Sequence, residues 1–260
     1  MKYILAVTLI VANLFVIGCS SLQEKDDSEL NAEELFQKGK AALEIGDYQA
    51  AISHFESIGV RFPFGTYAQQ AQLEMAYAYY KYDERETAIS TTERFIKTYP
   101  QHEHIDYAYY LRGLASFNPE KDNLDRIADL DPSLRAPRSA RNAFQYFSEL
   151  LDRFPQSQYA DDAAQRMVHI RDHLARYELH VANYYMKRGA YLAAANRAKY
   201  VLEKYARTTS VPHALAMMVK AYRALELNDL ADDALSVLVI NYPKYAKSSA
   251  IKALFYKTAN

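Results

Sequence analysis

The hydrophobic positions of this 260-residue chain recur at helical spacing, and each amphipathic stretch closes on an aromatic residue. A proline follows that aromatic residue four times. The four pairs are Phe62-Pro63, Tyr99-Pro100, Phe154-Pro155 and Tyr242-Pro243, and Tyr205-Ala206 is a fifth pair without the proline. Because proline cannot continue a helix, each pair predicts a helix end.

These helix ends recur at a nearly constant interval, which indicates an internal repeat. Pro63 and Pro100 are 37 residues apart, and so are Ala206 and Pro243. Periods of about 34 residues with two helices each are typical of tetratricopeptide (TPR) arrays. In the first repeat, Gly39 and Phe55 occupy the small and aromatic positions of that pattern, and Gly46 permits the turn between them.

The sequence therefore predicts an all-α fold, a right-handed superhelical solenoid of about five TPR hairpins with a concave surface. The predicted repeats cover 31–64, 65–101, 102–156, 157–207 and 208–245, followed by a C-terminal helix to 260. Residues 118–137 hold three prolines and many charges, and predict an inserted loop in the third repeat. Residues 159–188 contain neither proline nor glycine before Gly189, and predict one long helix of about 45 Å.

The N-terminus has the pattern of an export signal. Lys2 precedes an apolar run over 3–17 that is too short to span a bilayer comfortably. The run ends in Val16-Ile17-Gly18-Cys19, which resembles a bacterial lipobox. That resemblance implies a signal peptide over 1–18, lipidation of Cys19 and a tether over 19–30, and Ser20 after the cysteine implies the outer membrane. A plain secretory signal or an uncleaved anchor is the alternative.

Composition narrows the function classes. Cys19 is the chain's only cysteine, so no disulfide can form within the chain. Basic and acidic side chains nearly balance, at 31 against 32, which gives no indication of nucleic-acid binding. Alanine, leucine and tyrosine are plentiful and glycine is scarce, which favours helices.

Residues with catalytic or metal-binding chemistry do not form a recognisable motif. His102-Glu103-His104 with Asp106 offers metal-type ligands, but these residues lie at a predicted helix start where such side chains serve as caps. His169 and His173 have zinc-ligand spacing without the glutamate of the metalloprotease motif. A nucleophile elbow, a P-loop and a dinucleotide fingerprint are all missing. We therefore expect no enzyme activity, no metal and no cofactor.

Three arginines, each three residues from the next, lie at the predicted start of the second helix of the third repeat. Arg135, Arg138 and Arg141 would share one helix face. A solvated face after Pro137 is the simpler interpretation, and a contact with an acidic partner is the alternative.

Tyrosine is unusually frequent, with 23 residues and no tryptophan. If Ala76 and Tyr79 occupy the packed positions of the second hairpin, Tyr77 and Tyr80 lie about 100° further around the helix. We expect these two rings in the concave groove, where exposed tyrosines make a binding surface. Ordinary repeat core is the alternative.

Several segments resemble one family throughout most of the chain. The most specific segment is Arg61-Phe62-Pro63-Phe64-Gly65-Thr66-Tyr67-Ala68-Gln69-Gln70, continuing to Tyr77-Ala78-Tyr79-Tyr80-Lys81. Others are Ile105-Asp106-Tyr107, Arg112-Gly113-Leu114, Phe154-Pro155-Gln156-Ser157-Gln158-Tyr159, Arg188-Gly189-Ala190 and Asn196-Arg197. Together they resemble the BamD family of lipoproteins, subunits of the outer-membrane β-barrel assembly machine. Residues 118–131 do not follow the family pattern.

The resemblance implies an outer-membrane assembly factor that is lipid-anchored and faces the periplasm. Its expected partners are a BamA-like barrel protein with POTRA domains, other lipoproteins of the complex and unfolded β-barrel clients. The expected contacts with the BamA-like partner are Arg188 and Arg197. The expected contacts with the carboxyl-terminal signal of clients are Arg61, Phe64, Tyr67, Gln70, Tyr77, Tyr80, Lys81 and Arg112.

Two other functions stay open at this point. A different TPR lipoprotein could organise enzymes of peptidoglycan synthesis or hydrolysis. A lipid-anchored hydrolase is the third possibility, and the missing nucleophile motif argues against it.

Overall fold

The computed structural model describes residues 27–117 and 138–246, and the described parts contain only helices and their connections. A short 3₁₀ turn over Asp27–Glu29 comes first. The helices are α1 (Ala32–Ile45), α2 (Tyr48–Arg61), α3 (Thr66–Lys81), α4 (Arg85–Thr98), α5 (Ile105–Ser116), α6 (Arg138–Arg153), α7 (Ala160–Lys187), α8 (Tyr191–Lys204), α9 (Val211–Ala224), α10 (Asn228–Asn241) and α11 (Pro243–Ala246). The predicted all-α class is confirmed.

The chain divides into two compact units, one up to Ala71 and one from Gln72 onwards. In the first unit, α1 packs against α2. In the second unit, each helix from α4 to α11 packs against the next along the chain. Such nearest-neighbour packing is the organisation of a helical-repeat protein, in which every repeat contacts only its neighbours. Each of the five sequence repeats contains two long helices.

Helix α1 shows how local sequence sets a hairpin. Its N-cap Asn31 accepts a hydrogen bond from the Glu34 N–H, and Glu34 accepts one from the Asn31 N–H, so two orphan donors are satisfied. The helix ends at Gly46, whose φ of +80° is left-handed and favours glycine. Asp47 then caps α2 by accepting from the Ala50 N–H at 3.0 Å. The predicted turn at Gly46 is therefore confirmed.

The aromatic residues that close the helices share one backbone geometry. Phe62, Tyr99, Tyr205 and Tyr242 all have φ between −126° and −130°, outside the helical region. Each donates its N–H to the carbonyl four residues earlier, at 2.8 or 2.9 Å. Three of these residues precede proline and Tyr205 does not, so the aromatic residue rather than the proline is common to these ends.

Two helical glycines let a neighbouring helix approach closely. A Cβ at Gly39 would lie 2.5 Å from the buried Phe55 ring, and Gly113 faces the Phe147 ring in the same way. Phe147 lies in the largest described core of the second unit, together with Phe95 and Leu150. The small and aromatic positions of the repeat pattern thus meet in space.

The fourth repeat departs from the others, as its sequence indicates. Helix α7 runs for 28 residues, which confirms the predicted long helix. Four predictions fall outside the described residues: those for Cys19 and Arg135, the inserted loop predicted over 118–137 and the C-terminal helix predicted beyond 246.

Candidate functional site

Four of the expected client contacts lie in the first unit. Phe64 is 92% exposed, and Tyr67 is half-buried with its ring 5.6 Å from that of Phe36. Gln70 is half-buried on the same helix. Arg61 donates to the carbonyl oxygens of residues 27, 28 and 30. Its guanidinium therefore fastens the segment that leads into α1, a role that the sequence did not indicate.

Three further expected contacts lie at the end of α3, in the second unit. Ala76 is fully buried as expected, but Tyr79, the second residue expected at a packed position, is only half-buried, as are Tyr77 and Tyr80, and Lys81 is exposed. The two tyrosines are therefore partly available to a ligand. Whether they bind clients stays a prediction.

Other tyrosines form a cluster next to Tyr77. Tyr110 stacks on Tyr159 with ring centroids 4.8 Å apart and an interplanar angle of 14°, and Tyr107 approaches Tyr159 at 5.4 Å. Burial raises the pKa of Tyr107, and the nearby Glu74 and Tyr77 raise it further. We call Tyr77, Tyr107, Tyr110 and Tyr159 the tyrosine cluster.

Within the tyrosine cluster, a hydrogen bond fixes Tyr110, whose hydroxyl stays protonated at neutral pH. The Tyr110 hydroxyl donates to Asp162 Oδ2 at 2.5 Å, and Arg166 donates to the same oxygen. Burial, together with this hydrogen bond, raises the pKa of Tyr110 to about 12. Neutral, pre-oriented rings are suited to stacking against an aromatic ligand. The run of tyrosines in α5 can be read from the sequence, but their alignment with Tyr159 cannot.

Arg112 lies in a different environment from the one that client binding needs. It is 8% exposed, pairs with Glu149, and packs its Cζ 4.0 Å from the ring centroid of Tyr146 and 5.1 Å from that of Tyr109. Its charge is already compensated inside the unit. This geometry supports a structural role, and a client contact by Arg112 stays untested.

The two residues expected to contact the partner both lie within the α7–α8 hairpin, Arg188 at the end of α7 and Arg197 on α8. Arg197 on α8 donates to Glu178 Oε2 at 3.0 Å, and Glu178 is only 3% exposed. The Arg197 side chain itself is 46% exposed, so one side of the guanidinium faces outward. Arg188 lies over the Tyr184 ring at 4.7 Å. Both positions leave a cation at the surface.

The histidines that resembled metal ligands have structural neighbours. His102 packs edge-on against Phe95 at 5.1 Å, and its Nδ1 accepts from the His104 N–H at 3.1 Å. His173 is buried against Phe117 at 5.4 Å, whereas His169 is exposed. Within residues 27–117 and 138–246, no three His, Cys, Asp or Glu side chains are grouped to hold a metal ion.

Comparison with known protein families shows the family to which this chain belongs. The sequence model of the YfiO family, described as an outer membrane lipoprotein, matches residues 28–254. The chain belongs to this family.

Relatives of this YfiO-family chain cover nearly its whole length. It is 43% identical to the outer membrane protein assembly factor BamD of Neisseria gonorrhoeae, over 94% of this chain and 92% of that protein. It is 37% identical to the BamD of Xylella fastidiosa strain Temecula1, over 94% and 83%. It is 33% identical to the BamD of Vibrio cholerae, over 93% and 99%. The resemblance found in the sequence is thereby confirmed.

The family description also indicates the cellular location of this protein. The YfiO family consists of outer membrane lipoproteins, which confirms the predicted outer-membrane association. Among the helices of the described residues, none is both long and apolar enough to cross a bilayer.

Proposed function

We propose that this YfiO-family lipoprotein is an outer membrane protein assembly factor and acts as a scaffold rather than an enzyme. The observation that carries the proposal is the 43% identity to an assembly factor over 94% of the chain. In this proposal the chain is anchored by lipid on Cys19 and faces the periplasm. It binds a BamA-like barrel protein with POTRA domains and other lipoproteins of the complex, and it receives unfolded β-barrel clients.

We assign client reception to the end of α3 and the tyrosine cluster. Tyr77 and Tyr80 are three residues apart, so they share a face of α3, and Lys81 follows them. Tyr77 lies close enough to Tyr107 to raise its pKa. Aromatic side chains of an extended client could stack on these rings, while Lys81 attracts a terminal carboxylate. The affinity should be modest, because ordering an unfolded chain costs free energy.

Removing the two rings should weaken client binding. For Tyr77→Ala/Tyr80→Ala we expect roughly tenfold weaker binding of a barrel-derived peptide, since each aromatic contact contributes about 0.5–1.5 kcal/mol beyond area burial. The measurement is fluorescence anisotropy with a labelled peptide that ends in phenylalanine and a free carboxylate.

Tyr82→Ala is the matched control, because Tyr82 is also a tyrosine, lies just beyond α3 and is 47% exposed. It should bind like the wild type. Circular dichroism must show unchanged helix in all variants. Equal binding by the double variant and the wild type would mean that the tyrosines do not contact clients, and unfolding of the double variant would mean that they are repeat core.

We assign partner docking to the α7–α8 hairpin. The buried Glu178 carboxylate accepts a hydrogen bond from Arg197. This contact orients the guanidinium while leaving part of it exposed. An arginine so fixed loses little further side-chain entropy when it pairs with a partner carboxylate. Arg188, supported by the Tyr184 ring, offers a second cation at the end of α7.

Arg197→Ala should weaken the complex with the BamA-like partner well over tenfold, since truncating one member of a buried interfacial charge pair costs roughly 2–5 kcal/mol. The measurement is retention of the partner in a pull-down of the purified pair. Lys199→Ala is the control, because Lys199 is exposed on the same helix and pairs only with Glu203 at 3.6 Å in the described chain.

Loss of Arg197 also leaves buried Glu178 unpaired, so Glu178→Gln/Arg197→Gln separates stability from docking. If the double variant is as stable as the wild type and still fails to bind, the contact is with the partner. Normal retention of the partner by both variants would contradict the assignment.

The same pull-down from detergent extracts distinguishes the alternative function. Recovery of a large barrel protein with POTRA domains supports the assembly factor. Recovery of peptidoglycan enzymes alone would support the scaffold of wall enzymes instead.

A further inference from the structure

A cavity of about 240 Å³ lies within the second unit, between α6, α7 and α8. Its walls combine positive charge with aromatic and aliphatic surface. They are formed by Arg141, Phe144, Arg171, Leu174, Tyr200, Lys204 and Tyr205. None of these residues belongs to the expected client or partner contacts. Arg141 is part of the basic run in the sequence, and Tyr205 is the aromatic residue of the helix end without a proline.

Among the residues that the structure describes, the three cations of the cavity have no carboxylate partner. Arg141, Arg171 and Lys204 form no ion pair with any residue in the described part of the chain. The acidic residues nearby in sequence are engaged by other cations. Asp172 pairs with Arg176 at 3.7 Å, Glu178 with Arg197 at 3.0 Å and Glu203 with Lys199 at 3.6 Å. The cavity therefore concentrates positive charge that the described residues do not neutralise.

The apolar part of the cavity is held in a fixed arrangement. Arg171 lies 5.6 Å from the centroid of the Phe144 ring, so its guanidinium is positioned by a cation–π contact. The Tyr205 ring meets that of Tyr200 edge-on at 5.9 Å. The Tyr205 carbonyl accepts from the Thr208 hydroxyl at 2.8 Å, and Leu174 is 4% exposed. The apolar wall and Arg171 therefore need little reorganisation before a ligand enters, which favours binding, while Arg141 and Lys204 are exposed.

We infer that this cavity binds a carboxylate side chain together with a neighbouring aromatic side chain of a partner polypeptide. The carboxylate pairs with Arg141, Arg171 and Lys204, because arginine forks match carboxylate geometry. The aromatic ring packs against Phe144 and Tyr205. The volume is below the roughly 300–1,000 Å³ of sites for whole small molecules, so it suits a pair of side chains better than a nucleotide or a lipid. The inference does not rest on the proposed function.

A tryptophan peptide provides a direct test, because the chain contains no tryptophan. The probe is acetyl-Gly-Asp-Trp-Gly-amide, titrated with the full mature protein in detergent and excited where tyrosine does not absorb. We expect a saturable change in indole fluorescence. The Asn version of the peptide should bind about tenfold more weakly, since a hydrogen bond to a charged group contributes about 1.5–3 kcal/mol.

The variants make the test specific to the cavity. Arg141→Gln/Lys204→Gln should weaken binding of the Asp peptide about tenfold and leave binding of the Asn peptide nearly unchanged. Arg138→Gln removes a charge from the exposed face of the same helix without lining the cavity, and should bind like the wild type. Circular dichroism verifies that the variants stay folded.

Three results would overturn the inference. The first is absence of saturable binding by the wild type, and the second is equal binding of the Asp and Asn peptides. The third concerns inorganic phosphate, observed by broadening of its phosphorus resonance. If phosphate binds the wild type but not the double variant and neither peptide binds, the cavity is a general anion site.

Discussion

Gly113→Val should destabilise the protein by about 3 kcal/mol, at the upper end of what overpacking of a core usually costs. Any Cβ at Gly113 would lie less than 3.0 Å from the Phe147 ring. Phe147 is 1% exposed and is surrounded by the buried residues of the largest described core, so its ring has no space to move into. Urea unfolding followed by circular dichroism measures the change.

Gly59→Ala is the matched control for this experiment. Gly59 also lies within a helix, but a Cβ there would meet nothing within 4 Å. Replacing an exposed helical glycine by alanine should stabilise the protein by up to about 1 kcal/mol. If Gly113→Val has the stability of the wild type, the close approach of α5 and α6 is not what requires glycine at this position.

Glu149→Gln should destabilise the protein by about 2 kcal/mol, less than the roughly 3–5 kcal/mol for breaking a fully buried ion pair, because the Glu149 side chain is 34% exposed. The change leaves Arg112 charged and mostly buried, at 8% exposure, with only the neutral amide opposite it. Arg112 Nε already has no hydrogen-bond partner in the described structure, so the site has little capacity to compensate. Urea unfolding again provides the measurement.

The surface pair Lys199–Glu203 serves as the comparison, because both side chains are more than half exposed. Glu203→Gln should change stability by less than about 1 kcal/mol, as exposed ion pairs contribute little. The double variant Arg112→Met/Glu149→Gln should be more stable than Glu149→Gln alone, since it removes the uncompensated charge. If Glu149→Gln is as stable as the wild type, Glu149 is not needed to compensate the charge of Arg112. Arg112 would then remain a candidate for the client contact that the family resemblance implies.

The sequence predicted the helical elements well because their signals are local. The left-handed turn at Gly46 and the aromatic helix ends each depend on residues a few positions apart. The length of α7 could be read from the absence of proline and glycine between 159 and 188. The family could also be recognised, because segments such as the one beginning at Arg61 are longer and more specific than repeat packing requires.

The candidate binding residues were predictable in type but not in environment. Helix geometry predicted that Tyr77 and Tyr80 would be less buried than Ala76, but not that Tyr79 would be only half-buried as well. The roles of Arg61 and Arg112 could not be found in this way, because their partners come from other segments of the chain. A charged residue in a motif has the same appearance in the sequence whether its charge is free or compensated.

By itself, the sequence determined the aromatic helix ends, the turn at Gly46 and the positions of Gly39 and Phe55 in the first hairpin, because backbone capping and repeat packing depend on residues within one repeat. Only the tertiary structure decided which charges remain available. Arg112 on α5 pairs with Glu149 on α6. Arg141, Arg171 and Lys204 come from three different helices, and no acidic residue in the described chain pairs with them. Charge compensation depends on distances between side chains that are remote in sequence, and the fold sets those distances.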